Sequence, residues 1–272
     1  MADAARAEER KRVGNEMFAK NKLAAAIEAY SEAICFAPHE PTYYTNRAMC
    51  HRKREEWPMV MADCCVAIEL DDTSIKGHYL LGLAFDAQAD FSDAVRHLHR
   101  ALELCKERTI SYKLDIQKAM LLARKREWQV TAGSSSEQIG RAEQLTATLL
   151  RGHYAAERHR NLGMVSQELD QEEHSVHACC DAAFGALRRE RLPGTVPEYF
   201  ICCLTHEIML DPVLTPDGIS YDKAPLLESL QKVGQFDPTT RSPLEAHQLR
   251  NNLGLKEAIN AFLEANPWAY EG

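Results

Sequence analysis

Two groups of residues in this chain have the types and spacing to do chemistry. Lys11 and Asn15 stand four apart and so share one face of a helix. Asn46 and Lys76 lie in the helical stretches that follow. Two ammonium groups and two carboxamides together make a cradle for a peptide's terminal carboxylate and nearby acidic side chains. Taken singly, each reads as an ordinary solvated polar residue. The second group is Cys202, Cys203, His206 and His247, in the last third of the chain. Each structural zinc ion takes four Cys or His ligands in paired spacing, and no Cys-x-x-Cys is present, so structural zinc is not expected. His206 is close enough in sequence to serve Cys202 or Cys203 as a base in thioester chemistry. A metal-dependent or cysteine enzyme therefore stays as an alternative that metal analysis would settle.

The elements that must position these groups are legible in the pattern. From 7 to 108 the chain repeats with a period of 34: Gly14, Ala48 and Gly82 share one place, Ala26, Val60 and Ala94 another, Ala33, Ala67 and Ala101 a third, and Tyr30, Cys64 and Leu98 a fourth. Small residues at fixed points let paired helices approach, and larger ones fill the gaps. This is the signature of tetratricopeptide repeats stacked into an α-solenoid, with three units, a stop at Pro38, and Asn46 and Lys76 on first helices. The stretch 108–130 is predicted to be a capping helix. Thr131 to Ser136 is predicted to break it, and two helices are predicted over 137–160 and 171–191, separated by a polar bend. Ile139, Ala142, Leu145, Leu149 and Leu150 stripe the first, and Ala178, Ala182, Ala186 and Leu187 the second. In the last segment, Thr215-Pro216-Asp217-Gly218 predicts a hairpin. Asp222 is expected to cap a helix with Leu226, Leu227, Leu230 and Val233 inward and Gly234 as its stop, and Asn252 to cap a last helix with Leu255, Ile259, Phe262 and Leu263 on one face.

Composition narrows the function classes. The 272 residues carry a formal charge of −8, which argues against a broad nucleic-acid or membrane surface. No apolar run is long enough to span a bilayer, and the charged first ten residues do not read as a signal peptide. Nine cysteines, among them Cys35, Cys50, Cys64 and Cys105 at helix-like positions, read as reduced buried thiols of a cytosolic protein.

Three runs carry a resemblance. Glu207-Ile-Met-Leu-Asp-Pro-Val213, Thr215-Pro-Asp-Gly-Ile-Ser-Tyr-Asp222 and Phe236-Asp-Pro-Thr-Thr-Arg-Ser-Pro-Leu244 follow one another in the order of the U-box, the zinc-free relative of the RING finger in ubiquitin ligases. The whole chain resembles the co-chaperone ubiquitin ligases that join tetratricopeptide repeats, a helical hairpin and a U-box. That resemblance implies three parts: a repeat domain over 1–130, a dimerising hairpin (a coiled coil) over 131–195, and a small α+β U-box over 196–272 in a mainly α chain. It implies that Asp211, Asp222, Arg241 and Asn252 help hold the loops in place of metal. It implies docking of a ubiquitin-conjugating enzyme at Leu204, His206, Pro238 and Pro243, with Arg241 bracing the donor ubiquitin and no catalytic cysteine. It also implies that Lys11, Asn15, Asn46 and Lys76, with Asp115 and Tyr79, clamp the Glu-Glu-Val-Asp tail of heat-shock chaperones. Leu80 stands where many clamps carry Arg, shifting weight to apolar contacts, and His206 stands where the related co-chaperone has Phe. The expected protein is a cytoplasmic and nuclear homodimer. It needs no cofactor, modifies misfolded client proteins in protein quality control, and neither binds nucleic acid nor inserts in membranes. The alternative is a non-catalytic scaffold whose U-box no longer docks an enzyme.

Overall fold

The computed structural model describes residues 2–105, 112–160, 166–189 and 194–270. The end of the third predicted repeat and the start of the capping helix (106–111), part of the polar bend (161–165) and the last residues of the second hairpin helix (190–191) lie outside the described residues.

Six helices form three pairs: α1 (Ala2–Ala19) with α2 (Leu23–Phe36), α3 (Pro41–Lys53) with α4 (Trp57–Leu70), and α5 (Ile75–Ala87) with α6 (Phe91–Leu104). Each pair also packs on the next through α2 with α3 and α4 with α5. Shape complementarity explains the period. A methyl added at Gly14 would stand 2.6 Å from the Tyr30 ring, and one at Gly82 would stand 2.6 Å from Leu98. Ala48 and Cys64, the corresponding smaller pair of the middle unit, share one core cluster with Val60 and Leu80. The backbone repeats as well. Asn21, Glu55 and Ala89 all adopt left-handed φ, 56°, 59° and 62°. After each, an amide closes on a carbonyl five residues back: Lys22 on Met17 at 2.8 Å, Glu56 on His51 at 3.0 Å, Asp90 on Phe85 at 3.0 Å. Arg47 joins two pairs from within, donating to Asp63 from Nε at 2.9 Å and Nη2 at 2.6 Å, and to Ser31 at 2.8 Å. Among the cysteines, Cys50, Cys64 and Cys105 are buried as expected, whereas Cys35 is exposed.

The predicted break at Thr131–Ser136 is absent, for α7 runs unbroken from Lys113 to Arg160. No proline interrupts this span, so every amide is available to the ladder. One glycine costs about 1 kcal/mol and each serine less, too little to stop a helix carried on both sides. The second helix, α8 (Ser166–Arg189), starts ahead of the expected 171. The chain falls into two compact units. One contains Met1–Glu127 together with Glu198–Gly272, and the other is Trp128–Pro197. The second unit is the hairpin of late α7 and α8. It runs antiparallel, tied by Arg158 to Asp170 at 2.8 Å, by Arg158 to Glu173, and by Arg188 to Glu143. Within the first unit, α7 meets the last helix, α10 (Leu253–Ala265), through Gln117 to Asn260 at 3.2 Å and Arg124 to the Glu264 carbonyl at 2.8 Å.

The carboxy-terminal module has strands β1 (Pro212–Leu214), β2 (Ser220–Asp222) and β3 (Arg250–Asn251), in the antiparallel order β2-β1-β3, with α9 (Lys223–Lys232) between β2 and β3. The hairpin turn, α9 and α10 stand where the pattern put them. β3 was not foreseen, because two exposed residues carry no alternation to read. Asp222 accepts from Lys223 N at 3.2 Å and Asn252 from Leu255 N at 3.2 Å, the expected caps. Leu226 and Leu230 are buried with Ile259 and Leu263, but Val233 lies past the end of α9 and is 69% exposed.

Candidate functional site

Two loops of the carboxy-terminal module share one backbone design. The first runs from Ile201 to Ile208 and the second from Phe236 to Pro243, and each is closed by an antiparallel bridge between its end residues. In the first, Cys202 N donates to Glu207 O at 2.8 Å, His206 N to Cys202 O at 2.8 Å and Glu207 N to Thr205 Oγ1 at 3.3 Å. In the second, Asp237 N donates to Ser242 O at 2.8 Å, Arg241 N to Asp237 O at 2.9 Å and Ser242 N to Thr240 Oγ1 at 3.3 Å. The sixth place of each carries a left-handed residue, His206 with φ 59° and Arg241 with φ 64°. Such a backbone costs a non-glycine residue about 1–2 kcal/mol, and here the closing hydrogen bonds hold it.

Both loops hang from β2. The second place of each is buried: Cys202 in the first, Asp237 in the second. Asp222 N donates to Cys202 Sγ at 3.4 Å, and the adjacent Tyr221 donates its hydroxyl to Asp237 Oδ1 at 2.7 Å. One strand thus anchors both loops, the first through a backbone amide and the second through a side-chain hydroxyl. Asp237 Oδ1 also accepts from Thr239 N at 2.8 Å and Thr240 N at 3.1 Å. Burial pushes the Asp237 carboxyl up, but these donors, led by the Tyr221 hydroxyl, outweigh it and hold the group below the usual carboxylate range. Burial drives the Tyr221 phenol up. Cys203 Sγ and Thr239 Oγ1, 3.9 Å apart, link the loops across their gap.

Leu204 and His206 sit on the first loop, and Pro238 and Pro243 on the second, flanking that link, with His206 and Pro243 exposed. Arg241 is exposed, its guanidinium 5.9 Å from the Phe236 ring centre. Of the residues expected to hold the loops, Asp222 also accepts from Asp211 N at 2.9 Å, Asp211 pairs with Lys256 at 2.5 Å, and Asn252 donates to Ser220 at 3.1 Å. Arg241 contributes its backbone amide, which donates to Asp237 O at 2.9 Å, while its side chain is exposed. Cys202, with its thiol buried and accepting an amide, has the setting of a structural residue and not of a nucleophile. Among the described residues no three His, Cys, Asp or Glu side chains converge as a metal site. Sequence reasoning missed Tyr221 and Asp237 as the anchors; the Asp-Pro-Thr run, an Asx-turn pattern, was the signal available.

In the repeats, Lys76 Nζ donates to Asn46 Oδ1 at 2.8 Å, and both line a cavity of about 270 Å³ with Thr42, Thr45, Ser74 and Tyr112. Burial lowers the Lys76 pKa. Lys11 pairs with Glu8 at 2.7 Å and stands 6.0 Å from the Tyr43 ring centre. Asn15 accepts from the Tyr30 hydroxyl at 2.8 Å and is exposed. Tyr79 is half-buried and stacks on Tyr112 at 6.0 Å, while Asp115 is exposed in the first turn of α7. Leu80, at the place where many clamps carry Arg, is 0% exposed and packs in the core with Ala48, Val60 and Cys64.

Helix pairs at a 34-residue period, followed by two hydrogen-bonded loops slung from a small sheet, define a tetratricopeptide-repeat U-box protein. The U-box domain model matches residues 196–268. The E3 ubiquitin-protein ligase CHIP of Arabidopsis thaliana is 37% identical over 273 residues, covering 98% of this chain and 96% of that protein. The Hsp70-Hsp90 organizing protein 2 of Arabidopsis thaliana is 32% identical over 96 residues, 35% of this chain and 17% of that protein. The TPR2B domain of yeast Sti1, solved in complex with an Hsp70 peptide, is 30% identical over 44% of this chain and 96% of that one, with a TM-score of 0.42. The chain belongs to the CHIP family of E3 ubiquitin-protein ligases and is a U-box ubiquitin transferase that works with a conjugating enzyme.

Proposed function

We propose that this ligase grips the acidic carboxy-terminal tails of heat-shock chaperones, those ending Glu-Glu-Val-Asp, and directs ubiquitin to the misfolded clients they carry. In this reading Lys11, Asn15, Asn46 and Lys76 take the tail's carboxylates, Tyr79 and Asp115 flank them, and a charged conjugating enzyme docks on Leu204, His206, Pro238 and Pro243. The thioester stays on the conjugating enzyme. The ligase holds client lysine and thioester together, and Arg241 limits the motion of the donor ubiquitin, so that attack becomes frequent; no proton-transfer group on the ligase is needed. The protein acts as a homodimer, in the cytoplasm and nucleus.

The observation that carries the reading is the pair of matched loops with Arg241 displayed at a fixed left-handed backbone. The Lys76–Asn46 cavity supports the tail-binding half, because a half-buried ammonium beside a carboxamide favours an anionic guest. Exposed Leu145, Leu149 and Leu187, at 61%, 64% and 45%, support the dimer. The test is a panel of ubiquitin-charged conjugating enzymes. Faster discharge onto amines is expected with at least one of them, and silence across the panel would favour the scaffold reading. Binding of tail peptides is to be measured beside it, with and without the free carboxylate. Equal affinity for the two would remove the clamp.

A further inference from the structure

We propose that Asp217 is a positioning residue for Arg241, fixing the backbone on both sides of it. The proposal rests on the reading of Arg241 as the ubiquitin brace. Asp217 sits in the turn between β1 and β2. Gly218 N closes that turn on the Thr215 carbonyl at 3.0 Å, and Gly218 takes the left-handed φ of 82° that the turn requires. The turn carries the Asp217 carboxylate across to the second loop. There Oδ2 accepts from Thr240 Oγ1 at 2.5 Å and from Ser242 Oγ at 2.6 Å. These are the residues immediately before and after Arg241.

Arg241 thus has its amide bound to the Asp237 carbonyl at 2.9 Å, its own backbone in the left-handed region, and both neighbours tied to one carboxylate. With the peptide units on either side held, the Cα–Cβ direction of Arg241 is held as well. That restraint is what a long, exposed side chain needs in order to meet a partner at a fixed place. The bonds from Ser242 and Thr240 hold the Asp217 carboxyl below the ordinary carboxylate range, so the acceptor is charged near neutral pH and both bonds are charge-assisted. Asp237 and Asp217 divide the work by depth. Asp237 is buried and folds the loop, whereas Asp217 is exposed and orients one residue of it.

The experiment follows single-turnover discharge of a ubiquitin-charged conjugating enzyme onto free lysine, across enzyme concentrations, for wild type, Asp217→Ala, Asp217→Asn, Arg241→Ala and the double variant Asp217→Ala with Arg241→Ala. Asp217→Ala is expected to lower the maximal rate by about three- to tenfold with KM for the charged enzyme and Tm unmoved, a loss on the scale of slight misplacement of a reacting partner. Asp217→Asn keeps an acceptor oxygen and is expected to fall between Asp217→Ala and wild type. The double variant is expected to match Arg241→Ala alone, since a residue acting through Arg241 has nothing left to position. A wild-type maximal rate in Asp217→Ala, a loss carried by KM, or multiplied losses in the double variant would each overturn the proposal. If Arg241→Ala discharges like wild type, the brace reading fails and Asp217 falls with it. If the unaltered protein speeds no charged enzyme, the transfer reading itself is at fault. An impaired Arg241→Ala beside an intact Asp217→Ala would sink the Asp217 role alone.

Discussion

At the scale of single residues, exposure and backbone state separate the groups that act from those that hold. Arg241 and Asp237 lie four apart in one loop, yet one is displayed and the other enclosed. Replacing Arg241 with Ala is therefore expected to cut ubiquitin transfer about tenfold or more while leaving conjugating-enzyme affinity, read by titration calorimetry, nearly unchanged. Lys76 gives a pH prediction. In the tail-free protein its burial favours the neutral amine, whereas a bound tail carboxylate favours the ammonium. Binding must then take up protons at alkaline pH, and affinity must begin to fall below the ordinary lysine range near about 10.4. Calorimetry of a tail peptide in buffers of different ionisation enthalpy between about pH 7 and 9.5 measures that uptake. Heats that stay buffer-independent up to the alkaline end of that range, beside undiminished binding by Lys76→Ala, would show that Lys76 does not meet the carboxylate. Lys11→Ala and Lys76→Ala are each expected to abolish binding, and added salt to weaken it in the parent.

At the scale of elements, the repeat is held by turns as much as by helices. Asn21, Glu55 and Ala89 close the three helix pairs with the same left-handed φ, although none is glycine. Glycine loses nothing in that region, while an L side chain gives up about 1–2 kcal/mol. Ala89→Gly is accordingly expected to stabilise the repeat domain by roughly 1 kcal/mol, less the extra entropy glycine gives the unfolded chain. Urea melts followed by circular dichroism would register it, and a lower midpoint would mean the turn is not strained. A contrasting case is Asp63, buried under the fork of Arg47. Asp63→Ala leaves a half-buried guanidinium without its carboxylate and is expected to destabilise the domain by about 2 kcal/mol in the same melts.

At the scale of the whole molecule, a mainly helical chain carries two working surfaces and one unpartnered one. Leu145 and Leu149 lie one helical turn apart on late α7, and both are exposed. An isolated helical hairpin has little core of its own, so a second copy is the natural cover for this face. If the proposed dimer forms through this face, Leu145→Asp with Leu149→Asp is expected to leave a species of 30.7 kDa by light scattering. A parent protein already at that mass would remove the dimer from the reading.

Much of this was legible before any coordinates. The 34-residue period fixed the helix pairs because Gly14, Ala48 and Gly82 are small where Tyr30, Cys64 and Leu98 need room, a local volume rule that one dimension can express. Pro-Asp-Gly, Asp222 and Asn252 announced a turn and two caps because those devices act within a few residues. The failures are of another kind. Thr131–Ser136 looked like a break, but helix hydrogen bonds on both sides carried it through. Leu80 stands where many clamps carry Arg, and only the fold shows it enclosed, by Ala48, Val60 and Cys64 from earlier in the chain. The twin loops were hidden because Ile201–Ile208 and Phe236–Pro243 share a backbone and almost no side chains. That Tyr221 and Asp222 hang both loops, and that Asp217 reaches the residues flanking Arg241, are contacts between segments about twenty residues apart. Sequence determined the parts whose causes are near neighbours. Tertiary structure alone decided which side chains are enclosed and which displayed, because burial is set by every segment that packs against a residue.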